Sequence, residues 1–201
     1  MAQSNVYSLN VVGYVNKSFT DVGNYYLVSN PLDAATNDLN NIIPVAPDGT
    51  GIGLWSVSAQ DFSPTAPAYS TFDHLWHPNV TIAPGQGFFV IPNGQFTNTF
   101  VGTVRQGPVT NNLVGGGNYE CIGSTVPLAG GLTNQLAQYP ALDGDGIGVW
   151  NEPVNDFSGT SPAYSTFDNK WHPDFNFAVA DGFFLIRNGG AVQYVRSFTV
   201  Q

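Results

Sequence analysis

The chain contains the stretch DGTGIGLW at residues 48–55 and repeats it, about 95 residues later, as DGDGIGVW at residues 143–150. The match continues on the C-terminal side of this stretch. It includes PAYSTFD at 67–73 and 162–168, WHP at 76–78 and 171–173, and GFF at 87–89 and 182–184. This pattern predicts an internal duplication, with one repeat over residues 1–105 and the other over residues 106–201.

Short apolar segments between turns indicate strands. In each repeat a Gly-rich turn leads into an apolar segment, and a continuous apolar run follows later, as expected for a strand buried on both faces. These runs are residues 87–91 and 182–186. An Asn-Gly pair follows each run, at residues 93–94 and 188–189, and predicts a tight hairpin to a return strand.

The local pattern leaves room for only one short helix per repeat. Apolar residues with helical spacing precede Pro44 and Pro140, and Asp33 is a candidate N-cap for the first segment. We therefore predict an all-β fold of two homologous sandwich- or barrel-like repeats, related by a pseudo-twofold axis. The first strand, residues 6–19, and the last, residues 197–200, each lack a neighbouring repeat. We expect these two strands to pair and to close the repeats into one tightly packed body.

The chain is acidic and poor in charge. Fourteen acidic residues stand against five basic ones, which gives a formal net charge of −9, and only 9% of residues are charged. Such a chain repels nucleic acid and anionic membranes, so neither is an expected partner. No apolar run reaches the roughly 20 residues that a membrane helix needs, so no membrane insertion is expected. Cys121 is the single cysteine, and we expect it to be buried.

The beginning of the chain indicates export. Residues 1–4, MAQS, look like an initiator methionine placed on a mature N-terminus after signal-peptide cleavage. The composition, poor in lysine and rich in asparagine and threonine, also favours an exported protein. We therefore expect a secreted or cell-surface protein whose signal peptide has been removed.

A serine, an aspartate and a histidine occur in both copies of the central block. They are Ser70, Asp73 and His77 in the first repeat, and Ser165, Asp168 and His172 in the second. These are the side chains of a hydrolase triad. Each serine lies in Tyr-Ser-Thr rather than in a Gly-x-Ser-x-Gly elbow, however. The alternative interpretation is that the aspartates fix loops through hydrogen bonds to the backbone.

Two weaker patterns could hold a metal ion. His74 and His77 have His-x-x-His spacing, but the second repeat has Asn169 at the position of His74. Asp143 and Asp145 resemble a fragment of a calcium loop without its 12-residue frame. We interpret both segments as turns and expect no bound metal. The glycine run at 49–53 is not followed by Lys-Ser or Lys-Thr, so it is no phosphate loop and no cofactor is expected.

Aromatic rings are the remaining candidates for a binding site. The recurring rings are Trp55, Tyr69, Phe72 and Trp76, which correspond to Trp150, Tyr164, Phe167 and Trp171. Such rings either form the core or lie exposed, where they stack on sugars or insert into partners. The proline after each Trp-His pair favours exposure. The predicted ligand-binding set is Tyr69, Trp76, His77, Tyr164, Trp171 and His172.

Several motifs together resemble one group of proteins. They are NVYSLNVVGYVN at residues 5–16, NPL at 30–32, the Asp-Gly turn before Trp55, and PGQGFF at 84–89. This pattern is similar to predicted exported tandem-repeat proteins from verrucomicrobial-type environmental bacteria, which have no assigned function. The resemblance implies export and an internal repeat, and it implies no activity. The second repeat departs from the pattern at residues 179–181, where VAD stands in place of PGQ.

The function expected from these patterns is binding or assembly rather than catalysis. We predict a non-enzymatic, exported structural or binding module that acts at the cell surface or on an extracellular polymer. Its partner would be an extracellular polysaccharide, a surface protein or a second copy of the chain. The alternative is a secreted hydrolase that uses the serine, aspartate and histidine of segments 61–78 and 156–173.

Overall fold

A computed structural model describes residues 11–200 of the chain. Strands account for 44% of the structure and helices for 6%, so the predicted all-β class is confirmed. Residues 6–10 of the predicted first strand lie outside the described residues. Within residues 11–200, no helix combines the length and the apolar character needed to cross a membrane.

The two halves of the described chain contain corresponding elements. Residues 11–104 form β1 Val12–Phe19, β2 Tyr26–Ser29, α1 Leu39–Ile42, β3 Gly51–Gly53, β4 Trp55–Ser56, β5 Asp61–Phe62, β6 Ala68–Ser70, β7 Leu75–His77, β8 Gly87–Ile91 and β9 Phe96–Thr103. Residues 105–200 form β10 Gly107–Leu113, β11 Tyr119–Gly123, β12 Gly130–Gly131, α2 Leu132–Gln135, β13 Gly146–Gly148, β14 Trp150–Asn151, a 3₁₀-helix Glu152–Val154, β15 Asp156–Phe157, β16 Ala163–Ser165, β17 Lys170–His172, β18 Asn176–Phe177, β19 Gly182–Ile186 and β20 Val192–Phe198.

Each half contains an antiparallel five-stranded sheet. The strand order is β2-β8-β3-β6-β7 in the first half and β11-β19-β13-β16-β17 in the second. The apolar runs predicted to be buried are β8 and β19, and both lie inside a sheet with neighbours on either side. The last two strands in each order, β6-β7 and β16-β17, form a hairpin. This hairpin pairs Tyr69 with Trp76 in the first half and Tyr164 with Trp171 in the second. Corresponding sequences therefore occupy corresponding sheet positions.

A long two-stranded ribbon accompanies each sheet. Strand β1 pairs with β9 over its whole length, from Val12 opposite Thr103 to Phe19 opposite Phe96. Strand β20 pairs in the same way with β10. For the described residues, the prediction that the first and last strands pair with each other is therefore wrong. Each terminal strand already has a partner in its own half, which satisfies its backbone groups on that side.

The core of each half lies between its sheet, its ribbon and its helix. In the first half, Phe19 and Phe100 of the ribbon pack with Leu39 of α1 and with Trp76 and Phe88 of the sheet. All five side chains are buried. The second half has a corresponding cluster, which contains Leu113, Leu132, Trp171 and Phe183. The helix contributes its apolar face to this core, as its spacing predicts.

The two halves also pack directly against each other. Their shared apolar cluster contains Leu27, Phe89, Cys121 and Phe184. The backbones approach so closely that a Cβ atom added at Gly182 would lie 2.7 Å from the carbonyl oxygen of Val28. Ser29 N donates a hydrogen bond to Ala180 O at 2.8 Å across the same contact. Only glycine fits at such a crossing, so the repeated Gly-Phe-Phe motif serves the contact between the halves.

Two local predictions are corrected by the structure. Helix α1 is capped by Asp38, whose carboxylate accepts a hydrogen bond from Asn41 N at 3.2 Å, and not by Asp33. The Asn-Gly pairs close no hairpin, because β8 leads into β9 of the ribbon rather than back into the sheet. Asn93 instead donates through Nδ2 to Asp48 O at 2.9 Å. Neither residue of the pair has the positive φ that a tight hairpin turn requires.

Candidate functional site

The rings predicted to bind a ligand belong mostly to the cores. Trp76 and Trp171 are 1% and 5% exposed, Tyr69 is buried, and Tyr164 is half-buried. Trp76 also donates a hydrogen bond through Nε1 to Ile43 O at 2.7 Å. The prediction that the Trp-His-Pro segment presents an exposed ring is therefore wrong. The proline follows the strand, and alternation along the strand still directs the tryptophan into the core and the histidine outward.

The exposed histidines bind neighbouring carboxylates. His77 Nε2 lies 2.8 Å from Asp73 Oδ2, and the hydroxyl of Ser70 hydrogen bonds to the same carboxylate. The second half has the same arrangement in Ser165, Asp168 and His172, with 2.9 Å between His172 Nε2 and Asp168 Oδ2. The structure thus brings together all three side chain types that the sequence singled out, once in each half.

The order of these contacts differs from that of a catalytic triad. In a triad the histidine lies between serine and carboxylate and takes the proton of the serine. Here the carboxylate lies between the other two groups. The hydrogen bond from His172 holds the pKa of Asp168 below its usual value, which suits an ionised loop anchor. The arrangement activates neither Ser70 nor Ser165, so the hydrolase hypothesis lacks an activated nucleophile.

The two aspartates of the calcium-like segment anchor turns. Asp143 Oδ1 accepts hydrogen bonds from the backbone N and the Oγ1 of Thr166, at 2.9 and 3.1 Å. Asp145 is fully buried. Within residues 11–200, no group of three or more His, Cys, Asp or Glu side chains is arranged to hold a metal ion. The described geometry therefore assigns both carboxylates to turn formation.

Asp145 is the centre of a buried polar network. Its Oδ2 accepts hydrogen bonds from the Tyr139 hydroxyl at 2.6 Å and from Leu142 N at 2.9 Å, and its Oδ1 accepts one from Asn188 N at 2.9 Å. Arg187 Nη1 lies 3.4 Å from the same carboxylate. Burial and the hydrogen bond to Asp145 raise the pKa of the Tyr139 hydroxyl. Each polar side chain of this network thus has a hydrogen-bond partner, as a low-dielectric site requires.

A cleft of about 970 Å³ lies between the two halves. It is lined by four corresponding pairs of aromatic rings: Tyr25 and Tyr119, Trp55 and Trp150, Phe62 and Phe157, and Phe89 and Phe184. Phe89 and Phe184 are buried, whereas the tyrosines and the other two phenylalanines are between 36% and 46% exposed. The cleft therefore combines a buried apolar base with rings that are accessible to a ligand. We take this aromatic cleft as the candidate functional site.

The tryptophan of each half contacts cleft residues of the other half. Trp55 Nε1 donates a hydrogen bond to Tyr119 O at 2.7 Å, and Trp150 Nε1 donates one to Tyr25 O at 2.5 Å. Each indole also packs edge-to-face on the buried phenylalanine of the opposite half, with 5.1 and 5.0 Å between centroids. These contacts fix the ring orientations, so the cleft is preformed.

The polar groups along the aromatic cleft are uncharged. They come from Gln60, Asn118, Asn155 and Ser161, and none of the described residues that line the cleft carries a charge. Gln60 and Asn155 each accept a hydrogen bond from a backbone N–H of the opposite half, at 2.7 Å. Both have a left-handed backbone, with φ of 52° and 56°, which directs their amides towards that half. A neutral ligand is therefore favoured over an ionic one.

Sequence reasoning identified only part of this site. Trp55 and Trp150 were recognised as recurring rings, but Tyr25, Phe62 and their counterparts were not. Each of these belongs to a short repeated pair, Asn-Tyr or Asp-Phe, which could have marked it. Trp150 contacts a residue 125 positions earlier in the chain. Such a contact depends on the packing of the halves, which no local pattern specifies.

No family model, no curated protein and no solved structure matches the chain. The resemblance to exported verrucomicrobial-type repeat proteins therefore stays a prediction from the motifs. Any functional inference depends on the chemistry of the cleft itself. Preformed aromatic faces and neutral amides can stack on and hydrogen bond to a ligand.

Proposed function

We propose that this protein is a non-catalytic, exported binding module whose ligand is a neutral glycan held in the aromatic cleft. The observation that carries the proposal is the cleft of about 970 Å³ with its paired rings from both halves. Its volume lies at the upper end of the roughly 300–1,000 Å³ common for ligand sites, which leaves room for more than one sugar ring. The proposed place of action is the cell surface or an extracellular polymer.

The chemistry of the lining supports a sugar ligand. A pyranose has apolar C–H faces and a polar hydroxyl edge, and it matches a site that offers flat rings beside amide groups. The exposed faces belong to rings such as Phe62 and Phe157, and the amides belong to Gln60, Asn118 and Asn155. The net charge of −9 disfavours anionic polymers. The arrangement of Ser70, Asp73 and His77 supports binding without hydrolysis.

Binding can be tested with neutral hexasaccharides of glucose and of N-acetylglucosamine by calorimetry. The decisive variant is Phe62→Ala/Phe157→Ala, which removes two accessible rings that make no hydrogen bond through their side chains. The matched control is Phe72→Ala/Phe167→Ala. It makes the same chemical change at rings that are 97% and 98% exposed and lie outside the cleft. A parallel assay of the sugar products by chromatography measures hydrolysis.

We expect the wild type and the control to bind at least one hexasaccharide, and the cleft variant to bind it at least about tenfold more weakly. No shortening of the sugar is expected. The proposal fails if the wild type binds neither sugar, or if both double variants retain wild-type affinity. Rapid turnover of either sugar would favour the hydrolase. Growth of the particle size with protein concentration, without sugar binding, would favour self-association.

A further inference from the structure

A second, smaller pocket adjoins the aromatic cleft. It has a volume of about 360 Å³, and Trp150 lines both cavities. Its apolar wall includes Phe175 and Phe177, and its polar side chains include Lys17, Glu152 and Asp181. We call it the charged pocket. A ligand lying on Trp150 can therefore extend from an uncharged cavity into a charged one.

The charged pocket has one more negative charge than positive charge. Lys17 Nζ lies 2.8 Å from Asp181 Oδ1 and 3.7 Å from Glu152 Oε1. The short contact with Lys17 compensates the charge of Asp181, whereas Glu152 has only the longer contact with Lys17. The side chain of Glu152 is 33% exposed, so a ligand can reach its carboxylate. A cationic group entering this pocket would donate a charge-assisted hydrogen bond to Glu152 without displacing Lys17.

The fold does not require these charges. By position in the repeats, Glu152 corresponds to Val57, since each lies two residues after the repeated tryptophan. Asp181 corresponds to Gln86, before the Gly-Phe-Phe motif, and Lys17 corresponds to Asn111, two residues before the end of its strand. A pocket of about 490 Å³ beside Gln86 and Asn111 persists without these three charges and has one acidic and one basic side chain instead, Asp33 and Arg105, with no excess of negative charge. The charged set therefore distinguishes one side of the molecule from the other.

The electrostatics at Glu152 favour an additional cation. Burial raises the pKa of the Glu152 carboxyl, and the charges of Asp181 and Asp21 raise it further, against the lowering by Lys17. The ionised carboxylate is thus incompletely compensated in the free protein. A positive charge placed beside it would relieve this penalty, and the gain would be largest where Glu152 is ionised.

We propose that the charged pocket binds the ammonium group of an amino sugar, within a glycan whose other rings lie in the aromatic cleft. This inference rests on the proposed glycan binding and names the ligand class more closely. Glu152 accepts a hydrogen bond from the ammonium group, Asp181 adds to the negative field, and Trp150 supports the sugar ring. The ligand is a partly deacetylated hexosamine polymer, whose neutral acetylated rings lie in the aromatic cleft and whose single ammonium group enters the charged pocket.

The test compares the N-acetylglucosamine hexamer with the same hexamer carrying a single deacetylated ring, by calorimetry at about pH 6, where an amino group is protonated. The isosteric variant Glu152→Gln removes the acceptor charge. Asp61→Asn is the matched control, because it removes one negative charge from an exposed position outside both cavities. Hexalysine serves as a control for general attraction of polycations to an acidic chain.

We expect the wild type and Asp61→Asn to bind the singly deacetylated hexamer at least about tenfold more tightly than the fully acetylated one. Glu152→Gln is expected to lose this preference and to keep the affinity for the acetylated hexamer. Phe62→Ala/Phe157→Ala is expected to weaken both. Because a misfolded variant would also lose acetylated-hexamer binding, that affinity reports on folding.

Three results would overturn the inference while leaving glycan binding intact. They are equal affinity of the wild type for both hexamers, an undiminished preference in Glu152→Gln, and hexalysine binding as tight as that of the singly deacetylated hexamer. Failure of the wild type to bind either sugar would instead overturn the proposed function and, with it, this inference.

Discussion

Replacing Arg187 by methionine tests how the buried network around Asp145 is held. Asp145 is 0% exposed and Arg187 is 8% exposed, with 3.4 Å between Nη1 and Oδ2. Arg187 Nη1 also donates to Pro140 O at 2.9 Å. Methionine keeps much of the side chain length and removes the cation, so Asp145 would retain its negative charge in a site without a compensating positive one.

The expected loss follows from what remains around the carboxylate. Removing one partner of a buried pair costs about 3–5 kcal/mol. Asp145 keeps three hydrogen bonds, from the Tyr139 hydroxyl, Leu142 N and Asn188 N. These bonds place the expected loss near the lower limit, at about 3 kcal/mol. For a chain of this length, that corresponds to a fall in the melting temperature of about 6–12 °C.

The first half of the chain shows which uncharged residue can replace Asp145. Thr50 occupies the position of Asp145 and accepts a hydrogen bond from Asn93 N at 3.3 Å, as Asp145 accepts one from Asn188 N. A threonine can therefore replace the carboxylate without a charge. We expect the double variant Asp145→Thr/Arg187→Met to lose only about 1–2 kcal/mol, because the whole ion pair is replaced and the remaining cost comes from the Tyr139 hydroxyl, which loses its acceptor.

Urea denaturation at neutral pH, analysed as a double-mutant cycle, measures these free energies of unfolding. Lys170→Met is the control, since it removes a positive charge from an exposed position and should change stability by no more than about 0.5 kcal/mol. A loss of less than about 1 kcal/mol in Arg187→Met would contradict a charge-compensating role of Arg187. A double variant as unstable as that single variant would contradict it as well.

Three further outcomes follow from packing and charge. Gly182→Ala places a Cβ 2.7 Å from a first-half carbonyl oxygen and should cost about 1–3 kcal/mol in urea denaturation, whereas Gly190→Ala, with nothing within 4 Å, should be neutral. Trp76→Ala should cost about 3–5 kcal/mol in the same assay, and the exposed Phe72→Ala almost nothing. The pKa of Asp168 is lowered in the folded state, so its stabilising contribution is present above the unfolded-state pKa of about 3.9 and is lost as the pH falls through the lower folded-state pKa. In acid, Asp168→Asn should therefore show a shallower dependence of unfolding free energy on pH than the wild type.

The sequence predicted the strand character of the molecule better than its candidate site. Segments 87–91 and 182–186 were recognised as buried strands because an apolar run has the same meaning wherever it packs. Trp76 was ambiguous, because an aromatic residue in a short strand suits either a core or a binding surface. Asp33 was the predicted helix cap, whereas Asp38 caps the helix; both are acceptable cap residues, and only the backbone conformation distinguishes them.

Local sequence patterns also did not predict which strands pair with each other. Asn93-Gly94 has the composition of a hairpin turn, but the strand that follows it joins the ribbon with β1. A hydrophobic pattern determines which face of a strand is buried, and many pairings satisfy that requirement equally. The same limit explains why the first and last strands were wrongly expected to pair.

Local sequence patterns were sufficient for the all-β class, for the Asp-Gly turns at 48–49 and 143–144, and for the matching motifs of the two halves. These properties depend on local conformational preference and on the alternation of apolar residues, which neighbours along the chain specify. Tertiary structure alone decided that Trp55 and Trp150 cross to the opposite half and that Lys17 meets Glu152 and Asp181. These contacts join residues far apart in the chain, and they form only when the apolar surfaces of both halves leave water together.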